Sequence, residues 1–356
     1  MSRIRALSSR RLTSVLLAVG ALVGAACSDS SSTAPSTSVA PSTTASPTTT
    51  TLPPTTTLPP TTTTIPVPVY PLTGLPATDE AILARPALIA KIDNAPAAIP
   101  QTGFNSADLV FEEIINDNIT RFAMVFHSQD SDPVGPFRSG RLQDIDLLGC
   151  LNKPLFGWSG GNAIVTAQIN ESDFVNMGPS KVPAYFRDST RNAPHNLYSS
   201  TRKLWELALE GWGLPPKLFE YRDAQTPVQG TPTAGVNVKL DSYKARWTWN
   251  ATSGLYEREQ NGRVHKDAGT NSVITTHNVI VMVMDYTRDS YGTPFANSVG
   301  TNEVWVFTGG NMVKGTWTRA DRLDTFHLTD EQGNPILLTP GRTFIEMPRP
   351  DNTEPF

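Results

Sequence analysis

The sequence predicts an α+β protein. A mixed α/β N-terminal domain is followed by a mostly antiparallel β C-terminal domain, and both lie behind a signal peptide and a disordered linker. Three observations predict this. Strand-like runs alternate with helix signals as far as Glu210. Past the proline-marked stretch from Leu214 to Pro232 the helix signals stop, and short β-rich runs recur between turns. Residues 28–68, ahead of both halves, are mostly Ser, Thr, Ala and Pro with almost no charge, which leaves too little to bury for a core. The expected parts are therefore residues 1–26, 27–68, 69–226 and 228–356.

Arg3, Arg5, Arg10 and Arg11 form a positive segment before the apolar run Leu12 to Val23, and Gly24-Ala25-Ala26 leads into Cys27. This reads as a signal peptide, too short to span a membrane. The Thr-Thr-Thr-Leu-Pro-Pro repeats favour polyproline II at about 3.1 Å per residue, so the linker reads as a stalk. Pro86 to Asp93 reads as a buried strand. Asp108–Ile115 and Ile119–Phe126 are β-rich, and Asn116-Asp117-Asn118 joins them as a hairpin. Leu142, Ile145 and Leu148 share one face of a helix expected over Ser139–Leu151. A short strand follows at Lys153–Trp158 and a helix at Asn162–Ile169. Another helix is expected at Thr201–Glu210, capped by Ser200 or Ser199 and stopped by Gly211. In the second half, strands are expected at Val236–Leu240, Ala245–Trp249, Gly254–Glu259, Val279–Met284, Glu303–Phe307 and Thr343–Glu346. Turns at Asn250–Gly254 and Gln260–Gly262 separate them, a spacing that suggests a barrel or sandwich.

The formal charge is −4, and loss of the four arginines of residues 1–26, which hold no acid, takes it to −8. Bulk attraction to nucleic acid or anionic lipid is not expected of such a chain. Anion recognition has to come from a local cluster of arginines. Two cysteines make no disulfide framework, and Cys150, inside an apolar run, reads as a small buried hydrophobe. The histidines show no metal-ligand spacing, so neither a metal nor a cofactor is expected.

The candidate ligand site lies between Asp132 and Asn196, in three loops. In the first, Arg138, Ser139 and Arg141 follow Gly135-Pro136. If the arginines share the first turn of a helix they project together, and an anion between them would relieve their repulsion. The alternative is internal pairing with Asp144 and Asp146. In the second, Gly160, Gly161 and Asn162 form a strand-to-helix turn that lets backbone approach a ligand. Gly157-Trp158-Ser159-Gly160-Gly161 also matches the letters of a nucleophile elbow, with Asp173 or Asp188 and His195 as partners, but the hairpin-rich sequence upstream does not supply the parallel sheet such an elbow needs. In the third, Arg187, Arg191, His195 and Asn196 surround Pro194, which forces Ala193 to be extended. His195 reads as a loop brace, a ligand contact or an acid/base. Trp247, Trp249, Trp305 and Trp317 read as β core rather than as a carbohydrate platform.

Cys27 behind small residues resembles the cleavage site of bacterial lipoproteins. The resemblance implies a diacylglycerated thiol and an acylated amino terminus, held stably by more than one chain at about 0.8 kcal/mol per buried methylene. Ordinary secretory cleavage near Ala26 is the alternative. The chain also resembles the YerB-like lipoprotein family, through Pro71-Leu72-Thr73-Gly74, Arg85-Pro86, Ile92-Asp93-Asn94, Phe111-Glu112-Glu113 and Arg121-Phe122. Further matching motifs are Gly135–Arg141, Arg191–Asn196, Gly315-Thr316-Trp317 and Pro340–Phe344. This resemblance implies a lipid-anchored extracytoplasmic protein with two domains of unknown function, and brings no catalytic residues. The expectation is a non-catalytic binding or adaptor protein of the envelope, joined to membrane lipid through Cys27 and recognising an anionic or glycan ligand. The expected partner is cell-wall polymer or an envelope protein, with no nucleic acid. The alternatives are an envelope hydrolase or transferase using His195 and Ser159, and a structural partner docking through its C-terminal domain.

Overall fold

The computed structural model describes residues 67–116 and 118–356. The signal segment, Cys27 and the linker through Pro66 lie outside them. The fold is α+β, with short helices and many strands.

The N-terminal half builds β1 (Leu88–Asp93), β2 (Leu109–Asn116) and β3 (Ile119–Phe126). β3 lies antiparallel to both others, and a bulge falls between Ile114 and Asn116 where the hairpin turns. β4 (Leu155–Gly157) joins the other side of β1 in parallel, and β5 (Val175–Asn176) joins β4 in parallel. The free side of β2 takes a strand from the far end of the chain: Thr343–Glu346 runs parallel to it, with Leu109 opposite Thr343 and Glu112 opposite Glu346. Asn278–Met282 pairs in parallel with that strand, and Gly300–Thr308, Asn311–Arg319 and His327–Asp330 continue antiparallel. One eleven-stranded mixed sheet thus passes through both halves.

A six-stranded antiparallel sheet, built on Gly235–Leu240, Tyr243–Asn250 and Leu255–Gln260, covers one face of the long sheet. Alternation along the strands sorts the side chains. Leu88, Ala90, Ile92, Phe122, Met124, Val281 and Phe344 meet Val236, Val238, Trp247 and Tyr256 of the second sheet. Their neighbours Ile89, Phe111, Val125, Ile280 and Ile345 meet Leu147, Leu148, Cys150 and Leu151 on the other face. No barrel closes. Trp247 and Trp317 are buried, and their indole N–H groups reach Glu346 at 2.8 Å and the Val283 carbonyl at 3.0 Å, so they serve the core. The thiol of Cys150 is buried, which pushes its pKa up to about 11.

Among the described residues four α-helices border the sheets: α1 (Glu80–Leu83), α2 (Gln143–Leu148), α3 (Ala163–Glu171) and α4 (Thr201–Glu206). Asn162 caps α3 by accepting the Val165 N–H at 2.9 Å, and Ser200 caps α4 at the Lys203 N–H. α2 is shorter than expected. Residues 138–140 are not helical because their backbone bonds to β1 and to the loop after β4, and Gly149–Leu151 tightens into a 3-10 turn. α4 also ends early, at Leu207, whose N–H bonds the Lys203 and Trp205 carbonyls. Among the described residues no helix is long and apolar enough to cross a membrane.

Two buried groups beside β3 have opposed acid responses. Burial, and then the charge of Arg85, lowers His127 from 6.5 to about 4, and burial raises Asp108 from 3.8 to about 6. Over that range the unfolded chain holds a proton that native His127 lacks, so His127 makes stability rise with pH. Native Asp108 holds a proton the unfolded chain has lost, so it makes stability fall. The two nearly cancel. His127→Phe is expected to expose the Asp108 slope, a loss of about 3 kcal/mol as pH rises from 4 to 6, read from urea midpoints. Parallel pH profiles for variant and parent would remove this account.

Candidate functional site

The site forms where a loop crosses the end of β1. The Asp93 N–H bonds the Pro136 carbonyl at 3.0 Å, and the Arg138 N–H bonds the Lys91 carbonyl at 2.8 Å. On its other side the same loop meets Leu197, through the Phe137 N–H at 2.7 Å. It also meets the turn after β4, through Ser159 N–H to the Arg138 carbonyl at 3.0 Å and Gly140 N–H to the Gly160 carbonyl at 3.2 Å. The three loops read from the sequence therefore converge. Gly135 permits the crossing: its φ is +153°, and a Cβ there would lie 2.5 Å from the Tyr198 ring. A Cβ on Gly140 would lie 2.9 Å from Trp158.

Asp93 is the hub. Its side chain is 2% exposed, and its Oδ2 lies 2.6 Å from His195 Nδ1. The same oxygen is 3.1 Å from Arg138 Nε, an ion pair whose angles are not those of a hydrogen bond. The other oxygen accepts the Ala95 N–H at 3.1 Å. Arg121 stands opposite Asp93 on β3 and donates from Nη1 to the Ser139 carbonyl at 2.6 Å, beneath the loop that carries Arg138 and Arg141. Arg141 donates from Nη1 to the Gly140 carbonyl at 2.9 Å, and its N–H bonds Asp144 at 2.7 Å. In all three arginines Nε is buried and has no hydrogen-bond acceptor among the described residues. Burial first, and then the charge of Arg141, pushes Arg121 down from 12.5 to about 9, and burial lowers Arg141 too against the pull of Asp144. Beneath them Lys91 is fully enclosed, paired with Glu113 and, at 2.6 Å, with Asp144. Burial brings Lys91 down to about 8 although Asp144 opposes it.

Of the residues expected from the sequence, Arg138, Arg141 and His195 come together here. They do so from a loop, and not from the first turn of a helix. Ser139 contributes its carbonyl. Beside Gly160, whose φ is +105°, a Cβ would meet only open space. Gly161 packs on Trp158 and Val165, and Asn162 is spent as the α3 cap. Arg187, Arg191 and Asn196 are taken up by the chain itself. Arg191 donates to the Ala98 and Pro100 carbonyls at 2.9 and 2.6 Å. Asn196 accepts from Arg187 at 2.7 Å and donates to the Asp188 and Arg191 carbonyls. Those three brace the His195 loop. Ser159 is not at the strained position of its turn; the left-handed residue is Gly160, and the long sheet is mixed. The elbow reading therefore loses its geometry. Sequence reasoning missed Asp93, Arg121, Lys91, Glu113 and Asp144 as site residues. The available signal was charge inside β-rich apolar runs, where a lone cation or carboxylate has to be paired.

This fold and the matched sequence define a two-domain family. Residues 72–213 match the N-terminal domain model described as "Protein of unknown function (DUF3048)", and residues 236–345 match the C-terminal domain model of the same family. The chain belongs to this YerB-like lipoprotein family. It is 26% identical over 292 residues to the protein named "Putative lipoprotein YerB" from Bacillus subtilis (strain 168), covering 78% of this chain and 85% of that one. The crystal structure of YerB protein from Bacillus subtilis has the same fold, with a TM-score of 0.70 at 22% identity over 81% of this chain and 99% of that chain.

Proposed function

We propose that the protein is a lipid-anchored binding or adaptor protein on the outer face of the cell membrane, and that it captures an anionic ligand, such as a charged segment of wall polymer, at Arg121, Arg138, Arg141 and His195. One observation carries this reading: three guanidinium groups on an acidic protein crowd one place, each with a buried Nε that has no acceptor among the described residues. An anion entering there would take charge-assisted hydrogen bonds from donors that have no acceptor among the described residues. Equilibrium binding of wall-polymer fragments tests it. Arg138→Ala and Arg141→Ala are each expected to weaken binding about tenfold or more, the scale of one lost charge-assisted bond. Variants that bind like the parent would remove the site.

The Asp93–His195 contact favours a second reading, an envelope hydrolase or transferase. A buried carboxylate on Nδ1 orients an imidazole for proton transfer at Nε2. Turnover of wall polymer that is lost in His195→Gln would support it.

A further inference from the structure

The charged groups around the site balance one another. Arg121, Arg138 and Arg141 face Asp93, Asp144 and Asp289, and Lys91 lies against Glu113 as well as Asp144. With His195 neutral, cations and carboxylates are equal in number, and the cluster has no net charge to offer an anion. Histidine is the side chain that readily gains a proton near neutral pH. His195 keeps its Nδ1 on the buried Asp93, its side chain is 20% exposed, and among the described residues no hydrogen bond engages its Nε2. Arg138 beside it is 27% exposed, whereas Arg121, 6% exposed, brings its unaccepted Nε from below.

We infer that the site takes a phosphodiester, and takes it together with a proton, His195 becoming positive as the anion enters. The inference rests on the anion-binding reading above and adds the ligand's chemistry and its proton. Guanidinium donors arriving from three residues suit a tetrahedral oxoanion, whereas a planar carboxylate is satisfied by one fork. The single charge of a phosphodiester matches the single charge that protonation of His195 adds. Asp93 then stabilises the imidazolium through Nδ1–H, and Nε2–H joins the arginine donors on the phosphoryl oxygens. The same group occurs in wall polymers and in phospholipid headgroups.

The test is calorimetric titration of the full mature protein with a soluble glycerol phosphodiester oligomer, whose charge per unit stays fixed over the working range. It is run in two buffers of different ionisation heat, with acetate as the carboxylate control and phosphatidylglycerol vesicles as a second arm. The expected result is uptake of about one proton per site, with affinity falling up to about tenfold per pH unit on the alkaline side. His195→Gln is expected to abolish both the uptake and the pH slope and to weaken acidic binding about tenfold. Binding to the soluble oligomer assigns the ligand to a polymer. Binding to vesicles alone, lost in Arg138→Ala, assigns it to a headgroup. Acetate binding as tightly as the phosphodiester, or phosphodiester binding without proton uptake, overturns the inference. If wall fragments bind through Arg138 and Arg141 but no phosphodiester does, the anion-binding reading stands and this inference falls. If nothing binds, both fall.

Discussion

Arg258→Met is expected to destabilise the protein by about 3–5 kcal/mol, the range for removing one partner from a buried ion pair. Arg258 lies between the two sheets with no exposed side chain, in contact with Glu112 and 3.6 Å from Glu346. These carboxyls stand opposite each other on neighbouring strands, so one guanidinium serves two acids. Burial, then the nearby Glu112 charge, raises Glu346 well above its ordinary range. Glu112 has its own support, accepting from Thr120 at 2.6 Å and Asn94 at 3.1 Å. Without Arg258, Glu112 has to stay buried and charged or take up a proton. Glu346→Gln should cost less than about 1 kcal/mol, because the native carboxyl is already biased towards its neutral form. Native Glu346 holds a proton that the unfolded chain releases above the ordinary carboxylate range, so the group lowers stability as pH rises. The glutamine variant should lose that slope. Chemical denaturation of both variants from pH 4 to 8 decides it, and a small loss for Arg258→Met would contradict the buried ion pair as the source of the effect.

Lys91→Met is the second large effect, also about 3–5 kcal/mol at neutral pH, because Glu113 and Asp144 then lose the one cation paired with both in their enclosed space. Gln143 bonds Glu113 but brings no charge. This change differs from the first in its pH signature. Native Lys91 releases its proton near pH 8 and the unfolded chain near 10.5, so between these values the unfolded state holds more protons and this group adds stability as pH rises. The variant should lack that increment. Denaturant midpoints from pH 7.5 to 10.5 measure it, and identical slopes in parent and variant would contradict the assigned cause. Freed from Lys91, Asp144 can pair more strongly with Arg141, so anion affinity should also fall.

Local chemistry made much of the fold legible. Asn116-Asp117-Asn118 marked the hairpin, Ser200 marked a cap, Gly160-Gly161 marked the start of α3, and alternation found the strands. Four predicted strands of the second half each reappear within three residues of their expected starts: Gly235–Leu240, Tyr243–Asn250, Leu255–Gln260 and Thr343–Glu346. Periodicity could not show which strands become neighbours. Nothing local in Leu109–Asn116 points to Thr343–Glu346. The site was half legible for the same reason. Arginines in loops draw attention, yet Arg187 and Arg191 find carbonyls and an amide within their own neighbourhood. Arg121, set in a strand between Thr120 and Phe122, looked like part of the sheet and proved to be a buried cation of the site. Position in the fold, and not residue type, decided which guanidiniums gather at the site.

The seating of Thr343–Glu346 between β2 and Asn278–Met282 has a consequence for how the chain is made. A chain emerging amino end first delivers β1 to β5 long before the strand that completes their sheet. Until Thr343–Glu346 arrives, β2 and Asn278–Met282 each have one side of backbone N–H and C=O groups open to any passing strand. Such late, long-range closure is slow and exposes apolar edges meanwhile. Truncation just before Thr343 should therefore be far more harmful than the shortness of the strand suggests, because it removes the middle of the sheet and not its margin.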